Sequence, residues 1–424
     1  MKTAPKTPAR GDSAPKIAAA PARGARAPEG RSIAQRRPGA RHSRDTFPGQ
    51  IVLVLQGGGA LGAYQVGVFE ALHEAGVEPD WIIGTSIGAI NGAIIAGNTK
   101  NERLPKLREF WARVEQRAGD DFFRFWTNLV NFPANLNTVT RGIPCFFTPN
   151  LNAWWSAHAQ LGVEAASYYD TSPLASTLAD LVDLTQVNAC KPRLTVGAVN
   201  VRNGEMRYFD SREEPLALPH ILASGALPPA FPAVRIDGDP YWDGGIYSNT
   251  PIEAVLDDNP RRDSVIFNVQ MWNPEGAEPE SLWQVMGRQK DIQYASRSKS
   301  HIARQKQIHH LRHVIRELYK HVPEKQRDAA VRELNGWGCG TTMHVVRLLA
   351  PGVEGEDHTK DIDFTPAGIR ARWQAGYADT ARMLAAAPWQ QHVDPVEGVV
   401  IHQDPARPEP KLARGIDGFS GRTR

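Results

Sequence analysis

Five consecutive apolar residues, 51–55, open the first patterned stretch of the chain. A run that short and continuous predicts a strand buried on both faces of a parallel sheet. A glycine cluster follows, then residues 63–75, where Val68, Leu72 and Ala75 recur at helical spacing and Gly76 closes the helix. Residues 81–83 predict a second strand running into Gly84-Thr85-Ser86-Ile87-Gly88, and the small residues 89–96 predict a helix beyond it. The order β-α-β-α predicts a parallel sheet wound with helices. An amphipathic helix is expected at about 102–117. Residues 193–201 resume the sheet, Asn203-Gly204 predicts a hairpin turn, and Met206-Arg207-Tyr208-Phe209 the returning strand. Prolines 228, 229 and 232 stop a small-residue helix, residues 241–245 predict a turn, and 265–269 a further buried strand. From about 278 the pattern is mostly helical and highly charged, with one strand candidate at 343–348.

Residues 122–155 have no period but are crowded with rings, among them Phe122, Trp126, Phe146, Phe147, Trp154 and Trp155. Two readings stand open for this insertion at about 120–160: a lid showing apolar surface to a lipid, or irregular chain packing its rings on the sheet.

Composition narrows the class. At 424 residues and 41% hydrophobic the chain has material for a large core, while no apolar run approaches the roughly 18 residues a membrane span needs. Cys145, Cys190 and Cys339 lie far apart without disulfide or zinc spacing, so a reducing, cytoplasmic setting is expected. The net charge of +3 conceals an asymmetry, because residues 1–50 hold eleven Lys and Arg against three Asp and Glu. That Ala/Pro/Arg-rich head lacks the apolar side chains to offset its ordering entropy, and residues 1–48 are expected to be a disordered, solvated tail. Anionic lipid, nucleic acid and organelle import are the other uses such a head suits, but it has no apolar segment of the secretory kind. Residues 404–424 are expected to be flexible. His309, His310 and His313 lack carboxylate or cysteine companions and are expected on a solvated helix face rather than at a metal.

Candidate chemistry sits at two glycine-framed turns. Gly84-Thr85-Ser86-Ile87-Gly88 is GxSxG between a strand and a helix, where small flanking residues permit the sharp turn that exposes a serine oxygen. Gln56-Gly57-Gly58-Gly59-Ala60-Leu61-Gly62 follows the preceding strand and satisfies two templates, a dinucleotide cradle and an oxyanion hole of bare N–H groups. The cradle requires an acid at the end of the second strand, which ends instead in Gly84-Thr85-Ser86, with Asp80 at the wrong end. Neighbouring parallel strands bring both loops to one edge of the sheet. For a base, thirteen histidines are available to complete a triad, while Asp243 stands in a glycine-framed turn, Trp242-Asp243-Gly244-Gly245, that also reads as an ordinary β-turn.

Taken together and in this order, GGGALG, GTSIG and DGG resemble the patatin-like phospholipase family. The small-residue helix ending in Leu227-Pro228-Pro229-Ala230-Phe231, and Asn249-Thr250-Pro251 after the DGG turn, extend the resemblance over about residues 50–270. It implies a three-layer α/β/α fold with a central, mainly parallel sheet as a catalytic domain at 49–275, followed by a mostly helical C-terminal subdomain at 276–403 of the kind some bacterial members carry. It implies a serine lipid acyl hydrolase in which Ser86 attacks the ester carbonyl, Asp243 accepts its proton, N–H groups of Gly57, Gly58 and Gly59 hold the oxyanion, and Gly84 and Gly88 frame the elbow. No metal or cofactor is implied, and no nucleic acid; the expected partner is a lipid or acyl ester, with peripheral contact to a lipid surface. Leu61 departs from the pattern, which commonly has Arg or Lys there, and this favours a neutral ester or thioester. A serine esterase with a histidine triad and a non-catalytic lipid-binding protein are the competing readings.

Overall fold

A computed structural model describes residues 42–115, 142–151, 158, 160–352, 356, 358–404 and 406. Most of the basic head, most of the aromatic insertion and most of the tail expected from 404 lie outside the described residues.

In chain order the elements that carry the fold are β1 (Gln50–Leu55), α1 (Ala63–Glu74), β2 (Trp81–Gly84), α2 (Ile87–Ala96), α3 (Arg103–Val114) and a small ribbon of β3 (Thr148–Pro149) with β4 (Tyr169–Asp170). Next come α4 (Ser172–Leu181), α5 (Leu184–Asn188), β5 (Arg193–Asn200), β6 (Met206–Asp210), α6 (Leu218–Ser224), β7 (Val234–Ile236), β8 (Asp239–Asp243), α7 (Glu253–Leu256) and β9 (Ser264–Gln270). The rest is α8 (Leu282–His321), α9 (Ala329–Gly336), β10 (Met343–Leu349), α10 (Pro366–Ala386) and β11 (Val399–Gln403).

The main sheet runs β11-β10-β9-β1-β2-β5-β8-β7, with β6 also paired to β5. From β11 to β5 the pairings are parallel, and β6, β7 and β8 are antiparallel to their partners. Helices cover both faces. Ile51, Leu53 and Leu55 of β1 join a cluster with α1, α2, α3 and α10. Val52 and Val54 point the other way, into a cluster with Val255 of α7 and Ile302 of α8. Burial on both faces is why β1 reads as an unbroken apolar run rather than an alternation.

The sequence does not announce how α10 lies along α1. A Cβ on Gly67 would meet Trp373 O at 1.9 Å, and one on Gly376 would meet Tyr64 O at 2.1 Å, so the two backbones touch where each has no side chain. Tyr64 donates to Asp379 (2.9 Å) and Tyr377 to Glu74 (2.7 Å) across the same contact.

Three expectations are corrected. Tyr241 to Asp243 is strand rather than turn, and the turn starts at Gly244. The expected C-terminal subdomain supplies β10 and β11 to the same sheet, β11 being a strand the charge-rich pattern conceals. Of the three histidines assigned to a solvated face, His310 alone is exposed. His309 is fully buried with Nε2 donating to Leu256 O (3.0 Å), and buried His313 contacts Pro395 O (2.8 Å) and Thr341 O (2.9 Å).

Candidate active site

The candidate nucleophile sits where β2 ends and α2 begins. Ser86 has φ +57° and ψ −127°, a backbone conformation that L residues rarely adopt and that costs about 1–3 kcal/mol. Its neighbours hold it there. A Cβ on Gly84 would lie 2.4 Å from Gly88 C and O, and one on Gly88 would lie 2.3 Å from Leu55 O, so both framing glycines are required by contact. Ser86 N donates to Ser224 O at 3.0 Å, tying the elbow to the end of α6.

Register explains how Asp243 reaches this serine. On one edge of β5, β2 pairs in parallel as far as Gly84 opposite Val196; on the same edge β8 arrives antiparallel with Asp243 opposite Ala198. The other edge of β5 is taken by β6. Strands β2 and β8 therefore run toward each other along a single slot, and the residues just past Gly84 and at the end of β8 meet in it.

Asp243 is fully buried, and burial raises its carboxyl from 3.8 to about 7, against the opposing pull of hydrogen bonding from the Gly245 N–H and the Ser86 side chain. The Gly245 bond measures 2.7 Å.

The glycine loop closes the third side. Gly59 has φ +55°, and a Cβ there would lie 2.2 Å from Asp361 O; a Cβ on Gly57 would lie 3.0 Å from Ser86 Cβ. Among the described residues, Gly58 and Gly59 N–H make no hydrogen bond, leaving both as donors. Gly57 departs from the expectation that it too offers its N–H, because that group donates to Asn249 O at 3.1 Å while Gly57 O accepts from Asn249 Nδ2 (3.1 Å) and Trp272 Nε1 (2.8 Å).

These groups open on a cavity of about 230 Å³ with apolar walls that include Ile87, Ile90, Phe147, Leu227 and Phe231. Phe146 and Phe147, the described rings of the aromatic insertion, are buried against Phe231 and Phe364 rather than displayed to solvent. All thirteen histidines of the chain lie among the described residues, and none lines the cavity.

Known proteins resemble this chain in two stretches. The profile of the patatin-like phospholipase family matches residues 53–256, and a second profile, described as patatin phospholipase, matches residues 292–396. The chain belongs to the patatin-like phospholipase family. Patatin-like phospholipase domain-containing protein 6 of Mus musculus is 46% identical over 63 residues, 15% of this chain and 5% of that protein. Lysophospholipase nte1 of Aspergillus terreus is 66% identical over 44 residues (10% and 3%), and triacylglycerol lipase ptl3 of Schizosaccharomyces pombe 42% over 62 residues (15% and 13%). The matched stretches are thus a small part of those relatives' length. Among solved structures, VipD from Legionella pneumophila overlaps at TM-score 0.33 and 16% identity, over 84% of this chain and 72% of that one.

In this patatin-like chain, several residues of the site lay beyond sequence reasoning. Asn249 bonds the glycine loop and sits beside Gly245, so one side chain couples the donors to the turn that holds Asp243. Gln56, fully buried, donates to Thr250 Oγ1 (2.7 Å) and accepts from Met271 N (2.5 Å) and Trp272 N (3.1 Å). Its position directly before the glycines is the signal that was available. Trp272, just after β9, also lines the cavity, and the C-terminal region adds Tyr294 of α8, Asp361, Ile362 and Phe364. Burial pushes the Tyr294 phenol up, and Asp243 and Asp361 push it further. Lys290, on the same helix, is engaged by Asp361 at 2.8 Å.

Proposed function

We propose that this chain is a serine lipid acyl hydrolase that cleaves carboxylic esters through Ser86 and Asp243. The observation that carries the reading is the meeting of β2 and β8 on one edge of β5, which sets a strained serine against a buried carboxylate beside two unengaged N–H donors.

Ser86 Oγ attacks the ester carbonyl carbon and its proton passes to Asp243. Negative charge gathers on the carbonyl oxygen, where the Gly58 and Gly59 N–H groups stabilise it at no cost of reorganisation. Collapse of the tetrahedral species expels the alcohol, which takes the proton back from Asp243 and leaves acyl-Ser86. Water then attacks this ester, gives its proton to Asp243, and the acid departs as Ser86 is restored. An aspartate of ordinary acidity is a poor base; one raised to about 7 is matched to neutral pH.

The apolar walls suit a fatty acyl chain, and the names of the relatives share the same bond, in phospholipid, lysophospholipid and triacylglycerol. Leu61 brings no charge to the glycine loop, and Lys290 is spent on Asp361, so a neutral ester or thioester fits the cavity better than a group recognised by a bare phosphate. A histidine triad has no support from the walls of the cavity.

A fluorophosphonate probe is expected to label Ser86, and purified protein to release fatty acid from at least one of a panel of phospholipids, lysophospholipids, glycerides and acyl thioesters. Ser86→Ala should lose labelling, and both Ser86→Ala and Asp243→Asn should lose turnover by on the order of a thousandfold or more with the fold retained. Labelling elsewhere, or full turnover in either variant, rejects the proposal.

A further inference from the structure

Arg261 lies in the loop between α7 and β9, at the edge of the sheet opposite Ser86, and Arg312 lies on α8 where that helix passes the loop. Each is only partly exposed, and each has a buried guanidinium nitrogen, Arg261 Nε and Arg312 Nη1, with no acceptor. Among the described residues neither guanidinium makes a hydrogen bond or an ion pair. Partly buried arginines are ordinarily paired, because desolvation without a partner is costly. Here burial first, and then the neighbouring charge of Arg261, disfavour the charge on Arg312.

Two histidines of α8 lie beside the pair. His313, beside Arg312 in the chain, is buried with its two ring nitrogens against two carbonyl oxygens, Pro395 O and Thr341 O. His309, one turn before, is fully buried with Nδ1 unpartnered while Nε2 serves Leu256 O. Of the nearby carboxylates among the described residues, only Asp258 is paired with other arginines, while Asp257 also attracts Arg312. Asp257 accepts from Gln305 (2.7 Å), Asp258 is held by Arg193 and Arg212, and Asp263 accepts from Thr342 N (2.7 Å).

We propose that the Arg261 loop and the Arg312 face of α8 form a binding site for a phosphate-bearing anion, remote from the ester-cleaving cavity and independent of the reading given to it. Two adjacent guanidinium forks present planar pairs of N–H donors that match phosphate oxygens, and the unpartnered His309 Nδ1 accepts from the hydroxyl of a monohydrogen phosphate. A free phosphate ester and the headgroup of an anionic lipid offer this same chemistry.

Thermal melts of the full-length protein in phosphate and in chloride at equal ionic strength, with co-sedimentation on phosphatidylcholine vesicles with and without phosphatidic acid, test it. Phosphate is expected to raise the Tm where chloride does not. Arg261→Gln and Arg312→Gln should each weaken the apparent phosphate affinity about tenfold or more. Without phosphate, each variant should melt no lower than the parent, since it loses a repulsion. Arg312→Lys, which keeps the charge and loses the fork, should fall between parent and Gln variant and serves if Arg312→Gln fails to fold. Arginine-dependent sedimentation with phosphatidic acid assigns the site to a lipid headgroup, and a phosphate response without sedimentation assigns it to a free phosphate. Ester hydrolysis should be unchanged in all three variants. No response to either phosphate source, or a response undiminished in both Gln variants, overturns the proposal.

Discussion

Asp243 gains its basicity from burial, and the same burial taxes the folded state. Its carboxyl is raised from 3.8 to about 7, so between roughly pH 4 and 7 the unfolded chain has released a proton that the folded chain still holds. Stability attached to this group is therefore greatest below pH 4 and is lost as the pH climbs through 7, by on the order of a few kcal/mol. Asp243→Asn is expected to raise the Tm by several degrees at pH 8 and much less at pH 4; melts of both proteins at the two pH values check this, and a lower Tm at pH 8 would contradict it. On the proposed mechanism activity has the opposite sign, because only the ionised carboxylate could accept the serine proton: hydrolysis should rise with pH to half its maximum near 7, and a rate already level from pH 5 upward would remove Asp243 as the base. At this scale the glycine-framed motifs were readable because a Cβ at Gly84, Gly88 or Gly59 collides with backbone. The duties of Asn249 and Gln56 were not readable, since a buried amide acquires its partners only when distant loops arrive.

Helix α10 and its seat on α1 show what sequence pattern conveys about an element and what it withholds. Apolar residues at helical spacing marked α1, small residues after the GxSxG turn marked α2, and short apolar runs marked β1, β2 and β9. Nothing local marked Gly67 and Gly376 as facing each other from positions 309 residues apart, nor β11, whose five residues end one edge of the sheet. The strand β8 was read as a turn because the glycines after it dominate the local signal. Gly376→Ala puts a methyl 2.1 Å from Tyr64 O, an atom of the backbone that cannot rotate aside. The substitution should lower the unfolding free energy by about 1–3 kcal/mol, whereas Gly336→Ala, with open space around it, should change little. Urea denaturation of the two variants beside the parent distinguishes them, and equal midpoints would mean that the α1–α10 contact is looser than described.

The C-terminal third finishes both the sheet and the cavity. Ending the chain at residue 276 removes β10, β11 and α10, strips the outer edge of β9, uncovers the α1 face and takes away Tyr294, Asp361, Ile362 and Phe364. Such a fragment keeps every motif legible in the sequence, yet it is expected to aggregate on expression and to show no hydrolysis; a soluble, active fragment would confine the working unit to the first two thirds. One further consequence follows from the slot shared by β2 and β8. The separation of Ser86 and Asp243, the proposed nucleophile and base, is metered by β5, a strand that supplies neither, in the interval from Val196 to Ala198. One residue inserted there would lengthen the interval by about 3.3 Å and turn the carboxylate to the opposite side of the sheet. The proposed hydrolysis would then be silenced with Ser86 and Asp243 both intact, by a change in counting alone.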